Sequence, residues 1–137
     1  LNTVCAAGML YKLGFRRHRT GKITYWRRPA LTGCQASLPV VFVHGIGMGL
    51  FTYWSFVHAL AGLPAEVFLV ELPHASLKIC EMVPADQQAV SALVKMLARH
   101  GHQRAVFAGH SLGSVYLSWL CRLAPECVAA SVFIEPI

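Results

Sequence analysis

Short apolar runs alternate along the chain with longer segments whose apolar residues recur at helical spacing. The short runs predict strands at Pro39–Val43, Val67–Val70, Ala105–Ala108 and Val128–Ile134. The longer segments predict helices at Tyr53–Ala61, Pro84–His100 and Leu112–Leu123. Because short apolar strands separated by helices form parallel sheets with right-handed crossovers, the pattern predicts an α/β fold.

The amino-terminal part has a different pattern. Gly14–Arg19 and Lys22–Arg27 flank Thr20-Gly21, which predicts an antiparallel hairpin with its tight turn at the glycine. Charged and apolar residues alternate in the second strand, as in an exposed strand whose charges face solvent and protect a sheet edge. We therefore expect a mostly parallel sheet with flanking helices and an N-terminal antiparallel hairpin. Residues 1–13 would be an extension and residues 14–137 the domain.

Composition limits the chain to one core. Of its 137 residues, 55% are hydrophobic and 13% are charged, which excludes a disordered or linker-rich polymer. The mean hydropathy of +0.51 is high, as expected for a sheet that is covered on both faces. One domain, or part of one, is expected.

The net charge of +6 is concentrated near the amino terminus. Seven basic residues lie between Lys12 and Arg28, and the first acidic residue is Glu66. A basic segment with interleaved aromatic residues could contact nucleic acid or an anionic membrane surface. The hairpin pattern explains the same charges better, so we expect no nucleic acid partner, and peripheral membrane contact stays open.

A membrane-spanning segment is a second alternative, because no charged residue lies between Arg28 and Glu66. Leu38–Leu63 is long enough to span a bilayer. Pro39, two histidines and a cluster of glycines interrupt it where a spanning helix would be continuous. We therefore favour a strand followed by a helix, and keep a membrane-associated protein with a spanning segment near 38–63 as an alternative.

The five cysteines are odd in number and widely spaced, and no Cys-x-x-Cys pair occurs. This spacing supports neither a zinc knuckle nor a disulfide framework, so we expect reduced, mostly buried thiols. The apolar start of the chain lacks the charge order of a signal peptide. Both features favour an intracellular location, and no metal or cofactor is expected; the oligomeric state is left open.

Ser111 stands at the centre of Gly109-His110-Ser111-Leu112-Gly113, directly after a predicted strand and before a predicted helix. A strand that turns sharply into a helix needs small residues two positions before and after the turning residue, because a side chain there would collide with the adjoining strand and helix. This arrangement predicts a nucleophile elbow, with Ser111 as the nucleophile over a helix amino terminus that favours negative charge.

A glycine-rich loop, His44–Gly49, follows the strand at Pro39–Val43 and meets the same edge of the predicted sheet. Gly45 and Gly47 would let the backbone approach a substrate oxygen closely. The N–H groups of Ile46 and Leu112 are the candidate donors of an oxyanion hole.

The serine pentapeptide, its strand and helix, and the preceding strand with His-Gly-x-Gly resemble the α/β-hydrolase fold family. The resemblance covers nearly the whole chain from about Gly14, matches the family's first six strands and stops where the family would continue with two more. It implies a serine hydrolase that acts on carboxylic esters. The large apolar residues after Gly49 would suit a small ester or lipid-like substrate with a hydrophobic acyl part.

The resemblance also implies a base and an acid that the chain supplies poorly. The family's base is a histidine late in the chain, whereas all seven histidines here lie at or before His110. Glu135, at the end of the sixth strand, stands where some lipases of the family have their acid; the alternative is a strand-end acid that faces loop N–H groups. The catalytic histidine is therefore absent from this chain, which we expect to be inactive alone. A non-catalytic α/β-hydrolase-like binding or scaffold fragment is the alternative.

The histidines that are present have other predicted roles. The side chain of His110 should point away from the Ser111 hydroxyl and pack, and His44 should brace the glycine-rich loop. His58 and His74 could reach the active edge of the sheet, but neither lies where the family has its base. His100 and His102 would lie at the opposite end of the fifth strand, where a metal site is only weakly indicated.

Overall fold

Six strands form one sheet in a computed structural model, which describes residues 2–35, 37–72, 75 and 84–137, and side chains from residue 7 onward. The strands are β1 (Arg16–Thr20), β2 (Ile23–Arg28), β3 (Val40–Val43), β4 (Val67–Glu71), β5 (Ala105–His110) and β6 (Val128–Ile134). Their order across the sheet is β1-β2-β4-β3-β5-β6. β3, β4, β5 and β6 run parallel, and β1 and β2 pair antiparallel. The predicted α/β class with an antiparallel hairpin is confirmed.

In the described residues, four α-helices flank the sheet: α1 (Asn2–Lys12), α2 (Trp54–Ala61), α3 (Asp86–Arg99) and α4 (Leu112–Leu123). Two short 3₁₀ helices, Gly49–Tyr53 and Pro125–Cys127, precede α2 and β6. The last three α-helices were predicted, although α3 begins at Asp86 because Ala85 is extended, with ψ 156°. The first lies in the predicted extension. Its Leu10 is buried and its Tyr11 ring meets the ring of Trp26, so the extension packs on the sheet.

Each face of the sheet has its own core, because neighbouring strand residues point to opposite faces. Phe68 packs with residues of α3 and α4, whereas the next residue, Leu69, packs with residues of α1 and α2. Val41 and Phe42 on β3 divide in the same way. The strands between the two cores are apolar on both faces for this reason.

The hairpin prediction needs one correction. The strand that protects the sheet edge is β1, whose side chains are mostly exposed, and β2 lies between β1 and β4. Tyr25 and Trp26 of β2 are buried, and Arg28 is only 5% exposed. The Arg28 guanidinium donates hydrogen bonds to the carbonyl oxygens of Leu63 and Ala65, which compensate for part of the hydration it loses. The alternation in β2 therefore separates two buried faces, not a buried face from solvent.

At the other edge of the sheet, β6 is exposed along most of its length. Val132 is 49% and Phe133 42% exposed.

The spanning alternative near 38–63 is not what the structure shows. This stretch forms β3, the glycine-rich loop, a 3₁₀ helix and α2. Among the described ranges, no helix is long and apolar enough to cross a membrane.

The prediction of mostly buried thiols was wrong for the cysteines whose side chains are described. Cys127 is buried, Cys34 is half-buried and Cys121 is exposed, and all three are free. Burial raises the pKa of the Cys127 thiol, which also donates a hydrogen bond to the carbonyl of Ala124. The side chain of Cys5 and all of Cys80 lie outside the described part of the chain.

Candidate functional site

The carboxyl ends of β3 and β5 lie side by side. The two strands are parallel neighbours, with Val43 opposite Gly109 in the register. The loop that leaves β3 and the turn that leaves β5 therefore start at the same edge of the sheet, as the sequence predicts.

Ser111 forms the turn between β5 and α4 with an uncommon backbone conformation, φ 49° and ψ −117°. Neighbouring groups hold this conformation. The Ser111 N–H donates to the Ile134 carbonyl at 3.0 Å. Its own carbonyl accepts from the Ser114 N–H at 2.8 Å and from Ser114 Oγ at 2.6 Å. A non-glycine residue at positive φ persists only where such contacts fix it, and such residues cluster at functional sites.

Two glycines make this sharp turn possible. A β-carbon on Gly109 would lie 2.7 Å from the Gly113 carbonyl oxygen and 2.8 Å from Leu117 Cδ1. A β-carbon on Gly113 would lie 2.1 Å from the Val43 carbonyl oxygen. All three distances are shorter than a β-carbon allows. Strand and helix can therefore approach this closely only because both positions are glycine.

Gly45 brings the glycine-rich loop against the serine. A β-carbon at Gly45 would lie 2.8 Å from Ser111 Cβ and 3.0 Å from His110 Nδ1. Gly47 has more room, since its β-carbon would meet only Thr52, at 3.6 Å. Its N–H donates to the Ala75 carbonyl at 2.8 Å. The loop backbone therefore lies directly beside Ser111, and Gly45 is the residue that permits the contact.

The predicted N–H donors lie on either side of this contact. Ile46 follows Gly45, and its side chain is 69% exposed. No hydrogen bond joins the Ile46 N–H to any described residue. Leu112 is the first residue of α4, so no helical carbonyl lies four residues before it. Within the described residues, neither amide donates to a backbone carbonyl.

His44 is fully buried and bonds on both ring nitrogens. Its Nδ1 lies 2.6 Å from the Gly45 carbonyl oxygen, and its Nε2 accepts from the Leu72 N–H at 2.9 Å. Since Nε2 accepts, the ring proton is on Nδ1 and is donated to Gly45. His44 thus ties the glycine-rich loop to the end of β4, in agreement with the bracing role predicted for it.

His110 turns away from Ser111, as predicted, but it does more than pack. Its Nδ1 lies 2.7 Å from Tyr53 Oη and its Nε2 3.2 Å from Glu135 Oε2. Tyr53 Oη also accepts from the Gly45 N–H at 2.9 Å. In the sequence, Tyr53 is only one of the large apolar residues that follow Gly49. Its hydroxyl, close in sequence to the glycine-rich loop, is the one feature that points to this role. Glu135 is 84% exposed and faces His110, not loop N–H groups.

Large apolar side chains surround the glycine-rich loop. Ile46, Met48 and Phe51 are exposed, and Trp54 is half-buried beside His58 of α2. The ring of Phe56 packs on Phe42 with centroids 4.9 Å apart, although 36% of the residue is exposed. His74 lies outside the described residues.

The histidines at the opposite end of β5 are occupied by structural contacts. His100 Nε2 bonds the Tyr25 hydroxyl at 2.8 Å, and His102 Nε2 lies 2.6 Å from Glu66 Oε2. Burial is the main cause that lowers the pKa of His100 to about 4, and the charge of Arg27 adds to it. In the described part of the chain, no three potential metal ligands come together.

Comparison with solved structures places this geometry in a known fold. The chain matches naproxen esterase from Bacillus subtilis with a TM-score of 0.73 over 97% of its length, at 14% identity. It matches a bacterial membrane phospholipase A, described as a virulence factor, with a TM-score of 0.71 over 98% of its length, at 17% identity. The chain has the α/β-hydrolase fold. An α/β hydrolase from the metagenome of lagoon sediments at Mar Chica, Morocco, matches 89% of it, with a TM-score of 0.66 and 21% identity.

The α/β-hydrolase neighbours are about twice as long as this chain. It spans 48% of the naproxen esterase, 44% of the phospholipase and 52% of the metagenomic enzyme. No protein-family model and no curated protein sequence matches the chain. At these identities, the likeness shows the fold alone.

Proposed function

We propose that the protein to which these residues belong is a serine hydrolase that acts on carboxylic esters. Ser111 Oγ attacks the ester carbonyl carbon, the carbonyl oxygen becomes an oxyanion, and the N–H groups of Ile46 and Leu112 stabilise it. The alcohol leaves, and water then hydrolyses the acyl-serine. The observation that carries this proposal is the strained turn at Ser111, packed against the Gly45 backbone.

The Ser111 hydroxyl needs a base to accept its proton. His110 is engaged by Tyr53 and Glu135, and His44 by Gly45 and Leu72. No histidine follows His110 in the sequence. We therefore propose that neither of these histidines is the base, and that the serine of this chain alone is a weak nucleophile.

The substrate is an ester with a hydrophobic acyl group. Ile46, Met48 and Phe51 expose apolar surface beside the glycine-rich loop, where an acyl chain attached to the reacting carbonyl would lie. The structural neighbours include a naproxen esterase and a membrane phospholipase A, which supports an ester or lipid-like substrate.

Labelling with a fluorophosphonate tests the nucleophile and the missing base together. Ser111 Oγ would attack phosphorus and displace fluoride, and the hydroxyl proton must pass to a base. We expect slow labelling of the 137-residue chain, faster labelling when imidazole is added as an external base, and none in Ser111→Ala. Rapid labelling without imidazole would show that the base is present. No labelling of Ser111 even with imidazole would contradict the proposed nucleophile.

A non-catalytic binding role is the second candidate. It is favoured by one observation: within the described residues, no histidine side chain hydrogen-bonds Ser111. The imidazole experiment separates the two, because a binding protein with a degenerate elbow would gain no serine reactivity from an added base.

A further inference from the structure

One chain of hydrogen bonds joins the ends of three strands around Ser111. The Gly45 N–H, after β3, donates to Tyr53 Oη at 2.9 Å. Tyr53 Oη lies 2.7 Å from Nδ1 of His110, the last residue of β5. His110 Nε2 lies 3.2 Å from the carboxylate of Glu135, directly after β6. Three segments that are distant in sequence therefore meet through the side chains of Tyr53, His110 and Glu135.

The donors and acceptors restrict where the protons lie. An amide N–H can only donate and an ionised carboxylate can only accept, so Tyr53 Oη accepts from Gly45 and the His110 Nε2 proton points at Glu135. In a neutral ring, Nδ1 then carries no proton and accepts from the Tyr53 hydroxyl. Of the two neutral tautomers of His110, these hydrogen bonds fit only Nε2–H.

Packing restricts the movement of Tyr53. Its ring makes edge contacts with Phe42 and with His110, at centroid distances of 5.2 Å and 5.3 Å. Its hydroxyl is thereby held at a fixed place between the glycine-rich loop and the end of β5. The bonded Gly45 amide directly precedes Ile46, and the Gly45 backbone abuts Ser111 Cβ.

We propose that Tyr53 and His110 are positioning residues, which hold the glycine-rich loop at the distance from Ser111 that an oxyanion donor requires. Glu135 acts through His110 by fixing its tautomer, and is not the acid partner of a distant catalytic histidine. The effect on catalysis rests on the proposed hydrolase function. The hydrogen bonds among Gly45, Tyr53, His110 and Glu135 do not depend on that function.

Nuclear magnetic resonance of the 137-residue protein tests this series of hydrogen bonds without any need for catalysis. We expect the ring nitrogens of His110 to report a neutral Nε2–H tautomer, and the Gly45 amide to exchange slowly with solvent. In Tyr53→Phe the Gly45 amide should exchange at least about fivefold faster, the factor for one lost hydrogen bond, and the tautomer preference should weaken. The control is Tyr11→Phe, at an exposed tyrosine of α1, and it should change neither signal.

Two substitutions of Glu135 test its role. A glutamine side-chain oxygen can still accept from Nε2–H, so Glu135→Gln should keep the His110 tautomer, whereas Glu135→Ala should lose it. The imidazole-assisted labelling of Ser111 should follow the same order, with Glu135→Gln near the unsubstituted chain. Equal loss of the tautomer in both variants would contradict the assigned role.

Fluorophosphonate labelling of Ser111 tests whether the hydrogen bonds of Tyr53 affect the reactivity of the serine. With imidazole present, Tyr53→Phe should label Ser111 about fivefold to tenfold more slowly than Tyr11→Phe. Unchanged Gly45 exchange and tautomer in Tyr53→Phe would overturn the positioning role, whatever the labelling shows. If the unsubstituted chain does not label, the proposed hydrolase function fails, and the resonance data still decide whether Tyr53 holds the loop.

Discussion

Gly113 and the Val43 carbonyl are in direct backbone contact, so that a β-carbon at Gly113 would lie 2.1 Å from the carbonyl oxygen. This contact joins the start of α4, which follows β5 in the chain, to the end of β3, the strand that pairs with β5. It brings the helix amino terminus over the two strand ends that form the candidate site. The approach depends on the absence of one side chain.

Gly113→Ala should destabilise the chain strongly. The new methyl group meets backbone atoms of β3, which cannot move aside like a flexible side chain, so α4 must shift. Overpacking of this kind costs about 1–3 kcal/mol or more, and we expect the upper end. Urea unfolding followed by circular dichroism would measure it.

The matched control is Gly8→Ala in α1. No atom lies within 4 Å of the β-carbon position at Gly8. Alanine favours a helix over glycine by about 0.5–1 kcal/mol, so this variant should be slightly more stable than the unsubstituted chain. Equal stabilities of the two alanine variants would contradict the contact between Gly113 and Val43.

Ser111→Gly should be more stable than Ser111→Ala. Serine and alanine both adopt φ 49° at a cost, whereas glycine adopts it freely. Strain of this type is worth about 1–3 kcal/mol, which exceeds the entropic cost of glycine in the unfolded chain, so a net difference of about 1 kcal/mol is expected. Thermal unfolding of the two variants gives the comparison. If Ser111→Ala is the more stable, the turn is not strained.

The sequence predicts the sharp turn at Ser111 well, because its requirements are local. The need for glycine at positions 109 and 113 follows from the sharpness of a strand-to-helix turn, and backbone atoms lie where their side chains would be. The parallel sheet follows in the same way from apolar runs separated by helices. In both cases, the residues that decide the structure are close together in sequence.

The parts that the sequence does not predict depend on distant partners. Alternation in β2 shows that the strand has two faces, but it does not show that α1 covers Trp26 or that β4 pairs along its edge. Tyr53, His110 and Glu135 come from three separate segments, and only the assembled sheet edge brings them together. The hydroxyl of a tyrosine within an apolar stretch is the only local sign of such a role, and it does not identify the partners.

Glu66→Ala should destabilise the amino end of the sheet. Glu66 is only 6% exposed, and its carboxylate is paired with the Arg27 guanidinium and with His102. Arg27 and His102 are only partly buried, so the loss of their hydrogen bonds to the carboxylate should cost about 1–3 kcal/mol. Glu126→Ala, an exposed glutamate, is the control and should change the free energy of unfolding by less than about 0.5 kcal/mol. Urea denaturation of both variants at neutral pH tests the difference.

His100 should make the chain less stable in acid. Its pKa is lowered from 6.5 to about 4, mainly by burial and secondly by the charge of Arg27, while Glu66 opposes the shift. Between these two pH values the unfolded chain binds a proton that the folded chain does not. The free energy of unfolding therefore falls as the pH falls from about 6.5 to about 4, and is independent of this group well above that window.

Two measurements check this dependence. Urea unfolding between about pH 7.5 and about pH 4.5 should show a shallower loss of stability in His100→Gln, which has no proton to bind in the unfolded state. Nuclear magnetic resonance titration of the His100 ring in the folded chain should give a midpoint near 4. A midpoint near 6.5 would mean that the ring is open to water and that its bond to Tyr25 does not form. In that event the next candidate for the acid sensitivity is His18, whose ring lies 5.4 Å from that of His100 and whose pKa burial also lowers.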